Sequence, residues 1–297
     1  MAEPPPFDKR ILNFRDVGAH INSIVGSPIL KPGLLFRSAR LDEAISADRD
    51  HLVHRYKIKT VIDLRSKTEL INAAKKHDTV DGEEVGKGDT PQLQMPSIRY
   101  ANINLNGKGF ERYLIWQLKY WSLFKMIVLM VLGYRTQAIA ILGKELMLPR
   151  GLVGLGKDTL DHSGPEIREM MNIVANQDSW PVLIHCTQGK DRTGITILLL
   201  LLLCGIDIKA ISHDYLQSEP ELECEKEARM EEISSIGLDE SFAGCPIDFC
   251  HQILEHLDSR YGGVEEYMRT IGVGEEQCSA VQEILKVGGA DRTKKAG

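Results

Sequence analysis

One stretch of the chain sets a soft nucleophile, a glycine-containing turn and an arginine at short spacing: Pro-Val-Leu-Ile-His-Cys-Thr-Gln-Gly-Lys-Asp-Arg-Thr-Gly at 181–194. A bare Cys-x5-Arg carries little information in a chain with six cysteines. Context makes this one specific, because an apolar strand enters, Gly189 permits a tight loop, and Arg-Thr-Gly opens an apolar helix. That order suits phosphate chemistry. Successive amides from Thr187 to Arg192 can turn inward as an anion-binding nest. The start of the following helix adds free N–H groups and a positive dipole end. Arg192 can hold two phosphate oxygens in its fork. The same field would favour the thiolate of Cys186, which could attack phosphorus and form a cysteinyl-phosphate. Gly189 would let the backbone approach the phosphate without a Cβ clash. The bland alternative, Cys186 as a buried structural thiol, does not account for the loop around it.

Such a loop needs a sheet behind it. Residues 59–65 and 98–105 read as strands, as does the run 181–185 that leads into the loop. Helical patterns occupy 47–56 with Ser46 as N-cap, 66–76, 166–176 after Pro165, 193–204, 208–217, 222–236, 249–261 and 275–286. Residues 25–36 alternate Gly and Pro with apolar positions and read as short strands and turns. Residues 80–96 read as a surface loop and the Gly-rich 151–164 as a mobile segment. Strands alternating with helices predict an α/β fold, a mainly parallel central sheet flanked by helices. Between them, residues 110–147 are dense in large apolar and aromatic side chains. Their spacing predicts two helices broken near Gly133 or Gly143.

The chain has 297 residues, 43% hydrophobic and 26% charged, which is ordinary for a soluble domain with a sizeable core. Its formal net charge of -6 leaves a global nucleic-acid surface unsupported. The cysteines form no Cys-x-x-Cys pair and none precedes Cys186, so zinc ribbons and a disulfide framework are disfavoured. A reducing, cytoplasmic compartment fits, and nothing implies a metal or cofactor. The opening Met-Ala-Glu-Pro-Pro-Pro lacks the pattern of a secretory signal. The apolar run 113–133 is interrupted by Lys119 and Lys125, and 195–206 is short of the roughly 20 residues a spanning helix needs. The expected organisation is a disordered lead over 1–10, one domain over 11–290 with a helical insertion or lid at 110–150, and a charged tail at 291–297.

The loop at 185–194 resembles the signature loop of protein tyrosine phosphatases. With Gly-Lys-Asp-Arg-Thr-Gly it is similar to the atypical tyrosine/serine-type members of bacteria and fungi. Asn13-Phe14-Arg15-Asp16-Val17-Gly18, Leu35-Phe36-Arg37-Ser38-Ala39, Val61-Ile62-Asp63-Leu64-Arg65 followed by Glu69, and Asp214-Tyr215 with Ser218 resemble the other motifs of that subgroup in order. The resemblance implies a tyrosine-phosphatase-like fold with a lid-like insertion. It implies Cys186 as nucleophile, Arg192 as phosphate clamp and Asp191 as general acid, with Asp158 and Asp161 as rivals for the acid. Thr187, Gln188, Gly189 and Lys190 would contact substrate, and Thr193 would hydrogen-bond the departing thiolate. His185 would support the loop and help set the thiol.

Two readings stay open for Asp63 and Arg65, substrate or loop positioning against a buried ion pair at the sheet edge; Arg15, Asp16 and Arg37 share them. The other cysteines and Met126, Met130 and Met147 are expected in the core. Lys190 adds charge that further phosphates would meet, or is a solvated loop lysine. The implied substrates are a phosphotyrosine protein or, by the same mechanism, a phosphoinositide. A non-catalytic phosphate-binding module and a sulfurtransferase are the alternatives of another class. In 110–150, Trp116, Tyr120, Trp121 and Phe124 recur at near-helical spacing. They read as the face of a lid, as an ordinary packed layer, or as a peripheral membrane contact.

Overall fold

The computed structural model describes residue 7 and residues 10–80 and 94–288. Five strands form one sheet: β1 (Arg15–Asp16), β2 (Leu35–Ser38), β3 (Thr60–Asp63), β4 (Arg99–Asn102) and β5 (Val182–His185). Their order is β1-β2-β5-β3-β4. Every neighbour pair is parallel except β1 and β2. β2, β3 and β5 are buried at every position, as strands covered on both faces must be. β5 lies at the centre, with Ser38 and Asp63 in register with His185 on either side. The ends of three adjacent strands therefore converge on Cys186.

The helix that follows the loop, Asp191–Leu203, is almost entirely buried. Ile195, Ile197 and the run from Leu198 to Leu201 pack into the main core with β5, the Gly164–Val174 helix and the C-terminal helices Phe249–Tyr261 and Glu275–Leu285. A helix apolar on all sides is fixed on all sides, and so is the loop at its start.

The expected parallel sheet and flanking helices are present, and several local readings change. Residues 17–25 form a helix, capped by Asp16 accepting from the Ala19 amide at 3.0 Å. The helix Ser46–Asp50 begins at Ser46 instead of being capped by it, and runs into a π-helical turn, His51–Arg55. Residues 151–164 are not a mobile stretch: they lie mostly in the helix Leu148–His162, interrupted at Gly151 (φ 62°). The insertion holds three helices, Lys108–Trp116, Tyr120–Val131 and Arg135–Leu142, broken near 118 and 133, and Gly143 opens a π-helical turn. A helix Val264–Thr270 was not anticipated. Of the expected lead, Phe7 is buried and meets Phe14 edge-on at 4.7 Å. The rest of 1–9, the loop core 81–93 and the tail 289–297 lie outside the described residues. No helix among the described residues is long and apolar enough to cross a membrane.

A buried ion cluster sits under the sheet end. Asp214 accepts from Arg15 Nε at 2.7 Å and from Arg37 Nη1 at 2.5 Å, and both Arg37 and Asp214 are 1% exposed. Burial alone would raise the Asp214 carboxyl, but the two guanidinium charges outweigh it and hold it well below the usual carboxylate range. Asp214→Asn should therefore cost about 3–5 kcal/mol, because it leaves two buried guanidinium groups short of an anion. A carboxyl depressed on folding stabilises above its unfolded value of about 4, and that stability is lost as pH falls through the folded value. Urea unfolding of both proteins between pH 7 and pH 3 should show a lower midpoint for Asp214→Asn and a shallower loss below about pH 4.

Candidate active site

Cys186 follows β5 directly and is 3% exposed. The loop then turns through Gly189 (φ 63°), where an added Cβ would lie 2.0 Å from the Ser38 carbonyl oxygen. Glycine is required there by the adjacent strand β2, a constraint independent of any approach to phosphate. The loop's carbonyls face outward and each finds a donor. Arg40 N bonds Thr187 O at 3.1 Å, and Asn13 Nδ2 bonds Gln188 O and Gly189 O at 3.0 Å each. Arg37 Nη2 bonds Gly189 O at 2.6 Å. Asn13, Arg15, Arg37, Asp214 and Ser218 thus form one network beneath the loop, with Arg15 Nη2 also reaching Ser218 Oγ at 3.1 Å.

On the opposite side, Arg192 is held by Glu69. Its Nη1 and Nη2 donate to the two carboxylate oxygens at 2.8 and 2.7 Å. Glu69 also accepts from Thr187 Oγ1 and from the Ser66 amide and hydroxyl. Ser66 and Glu69 form a capping box for the helix Lys67–Val80, Ser66 Oγ accepting from the Glu69 amide at 3.3 Å. Burial would raise the Glu69 carboxyl, but the Arg192 bonds and charge outweigh it and hold it far below the usual range. Nη1 also reaches Leu64 O at 3.3 Å and Nη2 reaches Thr187 Oγ1 at 3.4 Å, whereas Arg192 Nε has no hydrogen-bond partner among the described residues. Glu69 thus fixes the fork, a role the sequence reading had not assigned.

His185 is buried, with Nδ1 3.1 Å from the Cys186 carbonyl oxygen and Nε2 3.6 Å from Asp63 Oδ2. Asp63 pairs with Arg65 at 2.7 Å, and Arg65 reaches Asp42 at 2.6 Å. Burial would raise Asp63; His185 and Arg65 hold it below its ordinary value. Asp63 and Arg65 are a buried ion pair at the sheet end, and they support the loop through His185. Thr193 is fully buried and its Oγ1 has no hydrogen-bond partner among the described residues.

Cys186, Thr187, Gln188, Asp191 and Arg192 line one cavity of about 620 Å³, roofed by the helical insertion. Asp191 is the acid of the loop that faces it; Tyr215 Oη donates to its Oδ1 at 3.3 Å. The rivals lie elsewhere. Asp158 pairs with Arg150 at 2.8 Å, and Asp161 is occupied by Tyr261 Oη at 2.7 Å and His256 Nε2 at 2.8 Å. Lys190 is not solvated, and its Nζ lies 3.5 Å from Oδ1 of Asp191 in the same loop. It is fully buried, and its Nζ donates to the Gly244, Phe242 and Ala243 carbonyls at 2.6, 3.2 and 3.4 Å. Arg229, which sequence reading passed over, is 7% exposed and lines the cavity; among the described residues only its Nη2 is bonded, at 3.5 Å to Phe242 O.

Cys204, Cys245 and Cys250 are core thiols as expected. Burial pushes Cys204 and Cys250 up to about 12 and Cys245 up to about 11, so they stay protonated near neutrality. Cys224 is exposed and Cys278 partly so, against that expectation. Met126 is buried, whereas Met130 is half exposed.

The Glu69 contact generates a direct test. Glu69→Ala should weaken tungstate binding about tenfold, roughly 1.5 kcal/mol for one misoriented charged donor, as read by calorimetric titration. Unchanged affinity would mean that Arg192 needs no such partner.

The comparisons with known proteins agree with this geometry. A 164-residue segment is 33% identical to a tyrosine-protein phosphatase of Nostoc commune, over 49% of this chain and 55% of the relative. A 121-residue segment is 27% identical to the triple specificity protein phosphatase PtpB of Mycobacterium tuberculosis, over 35% of this chain and 44% of the relative. The chain thus spans about half the length of these curated relatives. The model of the tyrosine phosphatase family matches residues 8–287, and with nearly the whole chain matched, this protein belongs to that family.

Proposed function

We propose that the chain is a cysteine-dependent phosphatase that hydrolyses phosphotyrosine, with broad specificity. The observation that carries this reading is the single cavity shared by Cys186, Asp191 and a Glu69-oriented Arg192 at a helix N-terminus. In this reading the amides of residues 187–192 and Nε of Arg192 bind the phosphate dianion. Cys186 Sγ, as thiolate, attacks phosphorus; the S–P bond forms as the ester P–O bond breaks. Asp191 gives its proton to the leaving oxygen. Its carboxylate then takes a proton from water, whose oxygen displaces sulfur and releases inorganic phosphate. The unpaired Thr193 hydroxyl stabilises the departing thiolate.

Phosphoinositides are the second reading. The relative described as a triple specificity phosphatase supports a broad substrate range. Lys190 no longer argues for it, since three carbonyls hold its ammonium. A non-catalytic phosphate binder remains the reading of another class.

The outer surface of the insertion supports a peripheral contact with an anionic lipid surface. Tyr120, Trp116, Trp121 and Val131 are 94%, 81%, 78% and 82% exposed. Scattered apolar side chains are normal on a surface; a cluster of this kind is a contact site. Residues 108–147 also carry six Lys or Arg against two acids, in a chain whose net charge is -6. Such a basic, aromatic surface complements anionic headgroups.

Three outcomes are expected. With chelator present, wild type should release phosphate from a phosphotyrosine peptide and Cys186→Ser should not. Asp191→Asn should lower kcat by about 10²–10⁴, more for an alkyl than for a p-nitrophenyl leaving group. Release of phosphate by Cys186→Ser would sink the thiolate mechanism; phosphate binding without turnover by wild type would favour the binding module. In co-sedimentation, the protein should bind phosphatidylserine vesicles and not neutral phosphatidylcholine ones, and Trp121→Ser with Lys125→Gln should release it. Equal binding to both vesicles would remove the electrostatic argument.

A further inference from the structure

The cavity above Cys186 is far larger than a phosphate and one aromatic ring require. At about 620 Å³ it falls in the roughly 300–1,000 Å³ range that encloses a whole drug-sized ligand. Its polar groups are unevenly placed. Cys186, Thr187, Gln188, Asp191 and Arg192 form one end, whereas Leu114, Met126, Leu142, Leu155, Ile195 and Ile233 furnish apolar wall, interrupted by the charged side chains of Glu111, Arg135 and Arg229. Leu114, Met126 and Leu142 come from the insertion, Leu155 from the helix behind it, and Ile195 from the helix that starts at the loop.

In-line displacement decides what enters this space. The leaving oxygen must lie opposite the attacking sulfur, so the leaving group points out of the cradle and into the chamber. A ring bearing several hydroxyl and phosphate groups would lose water against a mostly apolar wall, where Glu111, Arg135 and Arg229 are the charged exceptions. A hydrocarbon would gain with every methylene it buried.

We propose that the chamber is a binding site for the hydrocarbon of a single-chain alkyl phosphate, a lipid-like primary phosphate monoester whose head occupies the loop. The inference rests on the phosphatase reading and names a substrate class for the same site. The reaction is balanced by water alone: the P–O bond to the chain breaks through the cysteinyl-phosphate, Asp191 supplies the proton, and a fatty alcohol and inorganic phosphate leave.

The test is a series of monoalkyl phosphates from butyl to dodecyl, each below its micellar concentration, with phenyl phosphate as reference. kcat/KM should rise with chain length, by up to about fourfold per buried methylene, and by more than tenfold from butyl to decyl. Cys186→Ser titrated with the matching alkylphosphonates should show the same trend in Kd. Leu142→Asp and Ile236→Asp, two partly exposed positions on the cavity wall, should flatten both trends, with a larger loss of kcat/KM for decyl phosphate than for p-nitrophenyl phosphate. Flat trends in the wild type overturn the chamber proposal while leaving the phosphatase reading intact. Wild type inactive on every ester defeats the phosphatase reading, and the phosphonate titration still decides the chamber.

Discussion

A loop whose amides are to converge on one anion must turn its carbonyls the other way, into the protein, and buried carbonyls require donors. Much of this fold answers that requirement. The outward oxygens of Thr187, Gln188 and Gly189 are met by Arg40 N, Asn13 Nδ2 and Arg37 Nη2. Arg37 must then be neutralised where water cannot reach it, and Asp214 does so from the helix Ile208–Leu216. Segments almost 200 residues apart in sequence are joined by the need to hold one short loop in a conformation that concentrates positive potential.

The front of the loop obeys a second rule, that a guanidinium is useful only when its plane is set. Glu69 grips one edge of Arg192 and is itself gripped by Ser66 and Thr187. The capping box of a surface helix therefore does double duty, ending a helix and aiming a cation. The insertion above these groups is unusual in being apolar on both sides. Its inner side chains pack around Phe110, Leu114 and Met126, while Trp116, Tyr120 and Trp121 face outward.

Where sequence was legible, the signal was local and chemical. Strand-Cys-loop-Arg-helix needs only neighbouring residues, and the parallel β-branched strands follow from their own composition. Ser66-x-x-Glu69 was readable as a helix start, but its second role depends on where β3 and β5 bring Arg192. Residues 151–164 misled because four glycines lower helix propensity; packing reverses the preference, since an added Cβ at Gly156 would lie 2.9 Å from Ile253 Cδ1. Lys190 misled because a lysine in a loop is ordinarily solvated, and only the tertiary path of residues 242–244 shows otherwise. The motif Asn-Phe-Arg-Asp was visible as a pattern, whereas its physical content, donors for distant carbonyls, belongs to the folded chain.

The way Lys190 is held has a consequence for how such proteins can diverge. Apart from its ion pair with Asp191 inside the loop, its three hydrogen-bond acceptors are main-chain oxygens, at Phe242, Ala243 and Gly244. No side-chain replacement in that turn deletes an acceptor, so the grip leaves almost no trace in residue identity. The turn can drift freely in composition and remain bound to the catalytic loop, provided its length and course are kept. Coupling of this kind is inherited as shape, and it would register as intolerance of insertions and deletions where point substitutions pass unnoticed.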